Sequence, residues 1–192
     1  MTDTFSILLD RRAFLGLALG ATATPAVAAE HPAMAYMRAF ARDLLHAHRL
    51  GTVASFRRVL QRHGDVAEIA DYSLGQYRSK LTGDQRTLYY GGVATFMARY
   101  FAEQSRLYPI AKYELGQLSI DGNEVTIRSK VILMAGQTYS VVWKLVKRGG
   151  GYKVADAKVL GFSLVYMQRG LFTSYISKRK GDVGQLVAAL TR

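Results

Sequence analysis

Glu124-Val125-Thr126-Ile127-Arg128-Ser129-Lys130-Val131-Ile132-Leu133-Met134 alternates apolar and polar residues. With a period of two, Val125, Ile127, Val131 and Leu133 share one face, while Thr126, Arg128 and Lys130 share the other. This is the signature of a half-buried strand. Thr138 to Lys147 repeats it, placing Val141, Trp143 and Leu145 together and opposite Ser140 and Lys144. Ala135-Gly136-Gln137 lies between the two runs and Asp121-Gly122-Asn123 precedes the first; both read as hairpin turns. Arg148-Gly149-Gly150-Gly151 is a looser turn leading to a fourth strand, Tyr152 to Leu160, and the period of two begins at Lys112. Consecutive strands with short links make an antiparallel sheet with one buried face.

On the N-terminal side the period is helical. Met34, Met37, Phe40, Leu44 and Leu45 recur at helix spacing, as do Val53, Phe56, Val59 and Leu60, then Val66, Ile69, Ala70 and Leu74 up to Gly75. Thr82-Gly83-Asp84-Gln85 has the form of a capping box and opens a helix to about Leu107, with Leu88, Phe96 and Tyr100 near one face and Pro109 at its exit. After the strands, Gly161-Phe162-Ser163-Leu164 reads as a turn. Helices follow over about Met167–Lys178 and Asp182–Leu190, separated at Gly181. Helices, then antiparallel strands, then closing helices predict an α+β fold: a curved antiparallel sheet covered by N-terminal and C-terminal helices. A cone of this kind, nuclear-transport-factor-2-like, leaves an apolar cavity between sheet and helices.

The first 29 residues read as an export signal. Asp10-Arg11-Arg12-Ala13-Phe14-Leu15-Gly16 has the paired arginines of a twin-arginine leader, an apolar run reaches Ala23, and Pro25 precedes the small residues Ala26-Val27-Ala28-Ala29. Cleavage is expected after Ala28 or Ala29, leaving residues 30–192 as one domain. Phe14 to Ala29 is short of the ~20 apolar residues a membrane span needs. The formal net charge is +12. The leader's Asp3, Asp10, Arg11 and Arg12 cancel, so the mature domain keeps that charge and favours anionic partners: a lipid headgroup, a bilayer surface or nucleic acid.

Catalytic and metal chemistry find little support. There is no cysteine, so disulfides and Cys-based zinc sites are excluded. The histidines are His31, His46, His48 and His63. His46 and His48 diverge by about 200° on a helix and cannot share a metal. No His-Glu-x-x-His, phosphate loop or nucleophile elbow occurs. The one enzymatic alternative is a cone-fold isomerase. Asp156 would be the general base in an apolar pocket, with Tyr113, Tyr139 or Tyr152 donating to an oxyanion. Basic residues are scattered apart from Lys178-Arg179-Lys180, so nucleic acid is not the expected partner. A basic interaction module remains a third class, and it predicts strongly salt-dependent binding.

Two segments resemble the MlaC family, the toluene-tolerance or Ttg2 type of periplasmic phospholipid-binding protein. The first is Tyr72-Ser73-Leu74-Gly75-Gln76-Tyr77, then Leu81-Thr82, Gln85-Arg86 and the aromatics Tyr89, Tyr90 and Phe96. The second is Tyr152-Lys153-Val154-Ala155-Asp156, then Gly161-Phe162-Ser163-Leu164, Arg169 and Phe172. Tyr77-Arg78 stands where the family often has tryptophan, and Leu160 replaces an acidic residue. The resemblance covers roughly residues 35–190, and its hopanoid-associated branch is included.

What the resemblance implies is a lipid carrier without cofactor, metal or covalent step. It would act as a periplasmic monomer between outer-membrane and inner-membrane complexes, the latter an ABC transporter, and so maintain outer-membrane lipid asymmetry. Each buried methylene is worth ~0.8 kcal/mol, so two acyl chains carry on the order of 20 kcal/mol that a dry cavity must offset. The expected walls are Val131, Leu133, Val141, Trp143 and Leu145 from the sheet. Tyr77, Phe96, Tyr100, Leu164, Phe172 and Ile176 are expected from the helices and turns. For phosphate the candidates are Arg78, Lys80, Arg99, Lys178, Arg179, Lys180 and above all Arg169, which could instead pair with Asp156.

Overall fold

The computed structural model describes residues 30–122 and 124–192; the stretch expected to be an export leader, residues 1–29, and Asn123 lie outside the described residues. The chain forms α1 (Pro32–Leu50), α2 (Val53–His63), α3 (Val66–Leu74), a 3-10 segment (Gly75–Lys80) and α4 (Gly83–Leu107). Five strands follow: β1 (Ile110–Asp121), β2 (Glu124–Leu133), β3 (Thr138–Arg148), β4 (Gly151–Val159) and β5 (Phe162–Ser163). The chain closes with α5 (Leu164–Ser177) and α6 (Val183–Leu190). The sheet runs in sequence order, β1-β2-β3-β4-β5, with every pairing antiparallel. The α+β arrangement read from the sequence is therefore the one found.

Register explains which side chains meet. Val125 pairs with Leu145, Ile127 with Trp143 and Ser129 with Val141, so the inward positions of β2 and β3 face the helices together. Irregular register in β1 between Leu115 and Leu118, and between β3 and β4 at Lys144 and Leu145, bends the strands. The second irregularity has a further effect. Ala155 is the extra residue, so Val154 and Ala157 are both buried and Asp156 stands opposite Lys144, on the outer face. Arg148 pairs directly with Gly151, so the expected loose turn is a tight two-residue hairpin.

Two apolar cores result. The sheet's inner face packs on α1, α2 and the C-terminal half of α4, through Met37, Phe40, Phe56, Ala98 and Ala102. The second core lies among α3, the N-terminal half of α4, α5 and α6, and contains Leu74, Tyr89, Val93, Phe172, Ile176 and Leu186. Helix α4 belongs to both. Its buried positions are Tyr89, Gly92, Val93, Ala94, Ala98, Ala102 and Ser105, not the expected Leu88 and Tyr100, which are exposed. Small residues let neighbouring backbone approach: a Cβ on Gly92 would meet Leu190 Cβ at 2.8 Å. The Thr82 N–H donates to Gln85 Oε1 at 3.4 Å, as the capping box requires.

The last motif is rearranged relative to the expectation. The turn is Leu160-Gly161, both at positive φ (52° and 88°), and it joins Val159 to its partner Phe162. Two positive φ values match the right-handed twist of a hairpin. Phe162 and Ser163 are β5, and the Ser163 side chain accepts from the Tyr166 N–H, so α5 starts at Leu164 rather than Met167. No helix of the described residues is long and apolar enough to cross a membrane.

Candidate lipid-binding cavity

Between the inner face of the sheet and α1, α2 and α4 lies a cavity of about 510 Å³. Sites that enclose an organic ligand span roughly 300–1,000 Å³. Val131, Leu133, Val141 and Trp143 form its sheet wall, Phe40, Phe56, Val59 and Met97 its helical wall, and Leu164 borders it from the start of α5. Tyr100, Tyr108 and Leu160 line it and are also exposed, which marks the mouth.

Several of its polar groups are already bonded to protein. The Trp143 indole N–H donates to Ser129 Oγ at 2.9 Å, which leaves the ring face to the cavity, stacked edge-on against Phe40 with centroids 5.0 Å apart. Ser105 Oγ donates to the Ala102 carbonyl at 2.8 Å. The Tyr113 hydroxyl is buried without a partner, and burial pushes its pKa up. The interior therefore offers carbon and few directional contacts, which suits chains that cannot hydrogen-bond and penalises ligands that must.

The expected residues separate into two groups. Tyr100, Val131, Leu133, Val141, Trp143 and Leu164 meet at the cavity. The others do not. Leu145 is fully buried in the sheet core. Phe172 and Ile176 are buried in the second core, where Phe96 packs edge-on against Phe172 at 5.3 Å. Tyr77 packs on that same core under the Lys80 ammonium. Their apolar spacing correctly marks a buried face of α5, but it is the face turned to α3, α4 and α6.

Five of the seven basic candidates are tied up elsewhere, Lys178 and Lys180 being the other two. The Arg169 guanidinium stacks over the Tyr72 ring at 4.9 Å and does not pair with Asp156. It fills the space a side chain at Gly75 would need, since a Cβ there would lie 3.0 Å from Arg169 Nε. Arg78 pairs with Asp71 at 2.6 Å, Arg99 donates to the Arg192 carbonyl at 2.9 Å, Lys80 to the Gly181 carbonyl at 3.4 Å, and Arg179 covers the Tyr175 ring at 3.4 Å. Asp156 Oδ1 accepts from the Ala157 N–H (2.8 Å) and the Val165 N–H (3.2 Å). It thereby caps the first turn of α5, a structural use that does not favour the general-base reading. Among the described residues no cluster of His, Asp and Glu is placed to hold a metal ion.

Pattern reading missed His48, at the end of α1 on the cavity wall. Its Nε2 accepts from the Ile110 N–H at 3.0 Å and so holds the start of β1. Burial, partly offset by the Tyr108 carbonyl, keeps its pKa below the ordinary histidine value. A depressed histidine pKa means that the unfolded chain takes up a proton before the folded one does. Stability is then full above the ordinary histidine range, falls as pH drops through it, and levels off below the folded pKa. Urea midpoints at pH 7.5 and 5.5 should show this fall, and it should shrink in His48→Gln, which keeps an acceptor without titrating. Equal falls in both proteins would remove His48 as a source.

An α+β cone with an open, apolar cavity is the architecture of a protein that encloses an apolar ligand. The MlaC protein family model matches residues 41–192, and the chain belongs to that family. Among solved structures it is similar to a phospholipid-binding protein from Ralstonia solanacearum in complex with a phospholipid. The TM-score is 0.70 at 22% identity, over 83% of this chain and 95% of the other. No curated protein sequence matches the chain.

Proposed function

We propose that this protein is a periplasmic carrier of membrane phospholipid. It is exported by the leader in residues 1–29 and holds acyl chains in the cavity between the sheet and α1, α2 and α4. The apolar cavity carries this reading: its wall residues Val131, Leu133, Val141 and Trp143 present carbon, and its mouth opens at Tyr100, Tyr108 and Leu160. Membership of the MlaC family and the phospholipid in the Ralstonia solanacearum relative support it. The carrier would take lipid from an outer-membrane complex and exchange it with an inner-membrane ABC transporter.

Cargo is selected by the energy of taking apolar surface out of water. The ~0.8 kcal/mol that each methylene gains on leaving water is gained equally in a bilayer and in the cavity, so it largely cancels on exchange between the two. Discrimination by chain length should therefore be loose. The headgroup stays at the mouth, because an unpaired phosphate inside would lose its hydration without replacement.

Native mass spectrometry of the purified protein, followed by solvent extraction, tests the proposal. A stoichiometric co-purified lipid is the expected result, and its chemistry separates phospholipid from hopanoid. A protein that is empty and takes up no lipid from labelled vesicles would overturn the carrier reading.

A further inference from the structure

The cavity opens at one end of the sheet, where β1 and β3 begin and β2 and β4 end. Several elements turn back there. Ile110 pairs with Leu133, the Met134 N–H donates to the Pro109 carbonyl at 2.8 Å, and the Leu160 N–H donates to the Ser140 carbonyl at 3.2 Å. The end of α1 joins them through the His48–Ile110 bond. Large apolar side chains are exposed at these reversals: Leu50, Leu107, Tyr108, Met134, Leu160 and Phe162. Met134 and Phe162 are 75% and 68% exposed. Turn tips are ordinarily polar. Leu160 also holds a φ of 52°, in the left-handed region that a branched aliphatic residue rarely adopts. An unfavourable backbone conformation thus presents a leucine to solvent at the mouth.

Charge around these tips has one dominant sign. Arg49 adjoins Leu50 and Arg106 adjoins Leu107, and neither makes an ion pair among the described residues. Lys112 follows two residues after Ile110, bonded to Glu114. Glu103 lies one helical turn back from Leu107. The opposite end of the sheet differs. There the charge is mixed and largely paired: Glu124 bonds Lys144, Asp65 and Glu68 sit against Arg148, and Asp121 is offset by Lys147 and Lys153. The whole chain adds a net charge of +12.

Separate apolar points flanked by arginine suit insertion between lipid headgroups. Each point reaches the acyl boundary while neighbouring bases meet anionic phosphate, at about 1 kcal/mol per base near the surface. From this geometry we infer that the rim of the cavity docks directly on the surface of an anionic lipid bilayer, so that the mouth faces the membrane. The inference rests on the carrier reading and deepens it: the rim would place the cavity where a lipid can enter or leave without crossing water. A flat protein acceptor would instead call for a continuous apolar patch, closed to water at its centre.

Co-sedimentation of the purified protein with vesicles tests this. Phosphatidylglycerol-containing vesicles at low salt should bind it. Phosphatidylcholine vesicles, or high salt with either, should bind it about tenfold more weakly, as the loss of one or two screened bases implies. The double variant Met134→Glu/Phe162→Glu, which touches no cavity wall, should also lose about tenfold or more, while Ile120→Glu at the far end of β1 should bind as the parent does. Lipid content is measured on the same preparations. A protein that carries lipid yet binds no vesicle would overturn the inference and assign the rim to a protein acceptor. So would equal binding by parent and double variant, or equal loss in Ile120→Glu. A protein that is empty and takes up no lipid from the vesicles would overturn the carrier reading itself, whatever its binding to them.

Discussion

Val141→Glu should empty the protein of lipid while leaving it folded. Val141 is buried on the sheet wall of the cavity, paired with Ser129 on one side and Val159 on the other. A carboxylate there either remains ionised and draws water into the cavity, or takes up a proton at a cost in pKa. Both outcomes replace acyl contact with a polar group. The effect on cargo is large because each methylene withdrawn from the wall forfeits ~0.8 kcal/mol, and a tenfold loss of affinity needs only about 1.4 kcal/mol. The fold should survive, because the new side chain points into open space and not into packed neighbours. Lipid-to-protein ratio in solvent extracts is expected to fall at least tenfold, with the circular dichroism spectrum unchanged and Val141→Leu retaining its lipid. A folded Val141→Glu protein with its lipid still in place would take Val141 out of the site.

Phe172→Ala should do the reverse. The ring is 3% exposed and lies in the second core against Phe96, Ile176 and Val183, away from the cavity. Truncating a buried phenylalanine costs about 3–5 kcal/mol. That is a large share of the roughly 5–15 kcal/mol by which domains are stable. The denaturation midpoint should drop sharply, and the fraction that remains folded should carry the same lipid per protein as the parent. Loss of lipid from a well-folded Phe172→Ala protein would show that α5 reaches the cargo after all.

The contrast between these two residues shows where pattern reading succeeds and where it stops. The alternation in Glu124–Leu133 and Thr138–Arg148 reports which side chains leave water, and the strands form with that face inward. The capping box places the start of α4, because the bonding groups are adjacent in sequence. Burial alone does not say what lies on the other side of a buried face. Val141 and Leu145 are four residues apart in the same periodic set, yet Val141 borders space and Leu145 does not.

Helix α4 escaped a hydrophobic pattern for a different reason. It serves two cores, and beside Tyr89 and Val93 many of its contacts are made by Gly92, Ala94, Ala98 and Ala102, which carry too little apolar surface to stand out. The bulge at Ala155 was also hidden, and with it the turning of Asp156 toward the outer face. The basic residues were misread because side chains such as Arg169 and Arg78 meet partners on neighbouring elements, a matter of tertiary packing.

The division of α4 between two cores gives the helix two kinds of neighbour: α3, α5 and α6 along its first half, and α1, α2 and the sheet beside the cavity along its second. On the proposed reading, departing cargo would strip contacts only from Met97, Tyr100 and Phe101 in the second half, while Tyr89 and Val93 in the first would lose nothing. A carrier must be emptied many times without unfolding. Here part of the anchorage lies where that load would not act, so each delivery would disturb one arm of a frame whose footing stays put.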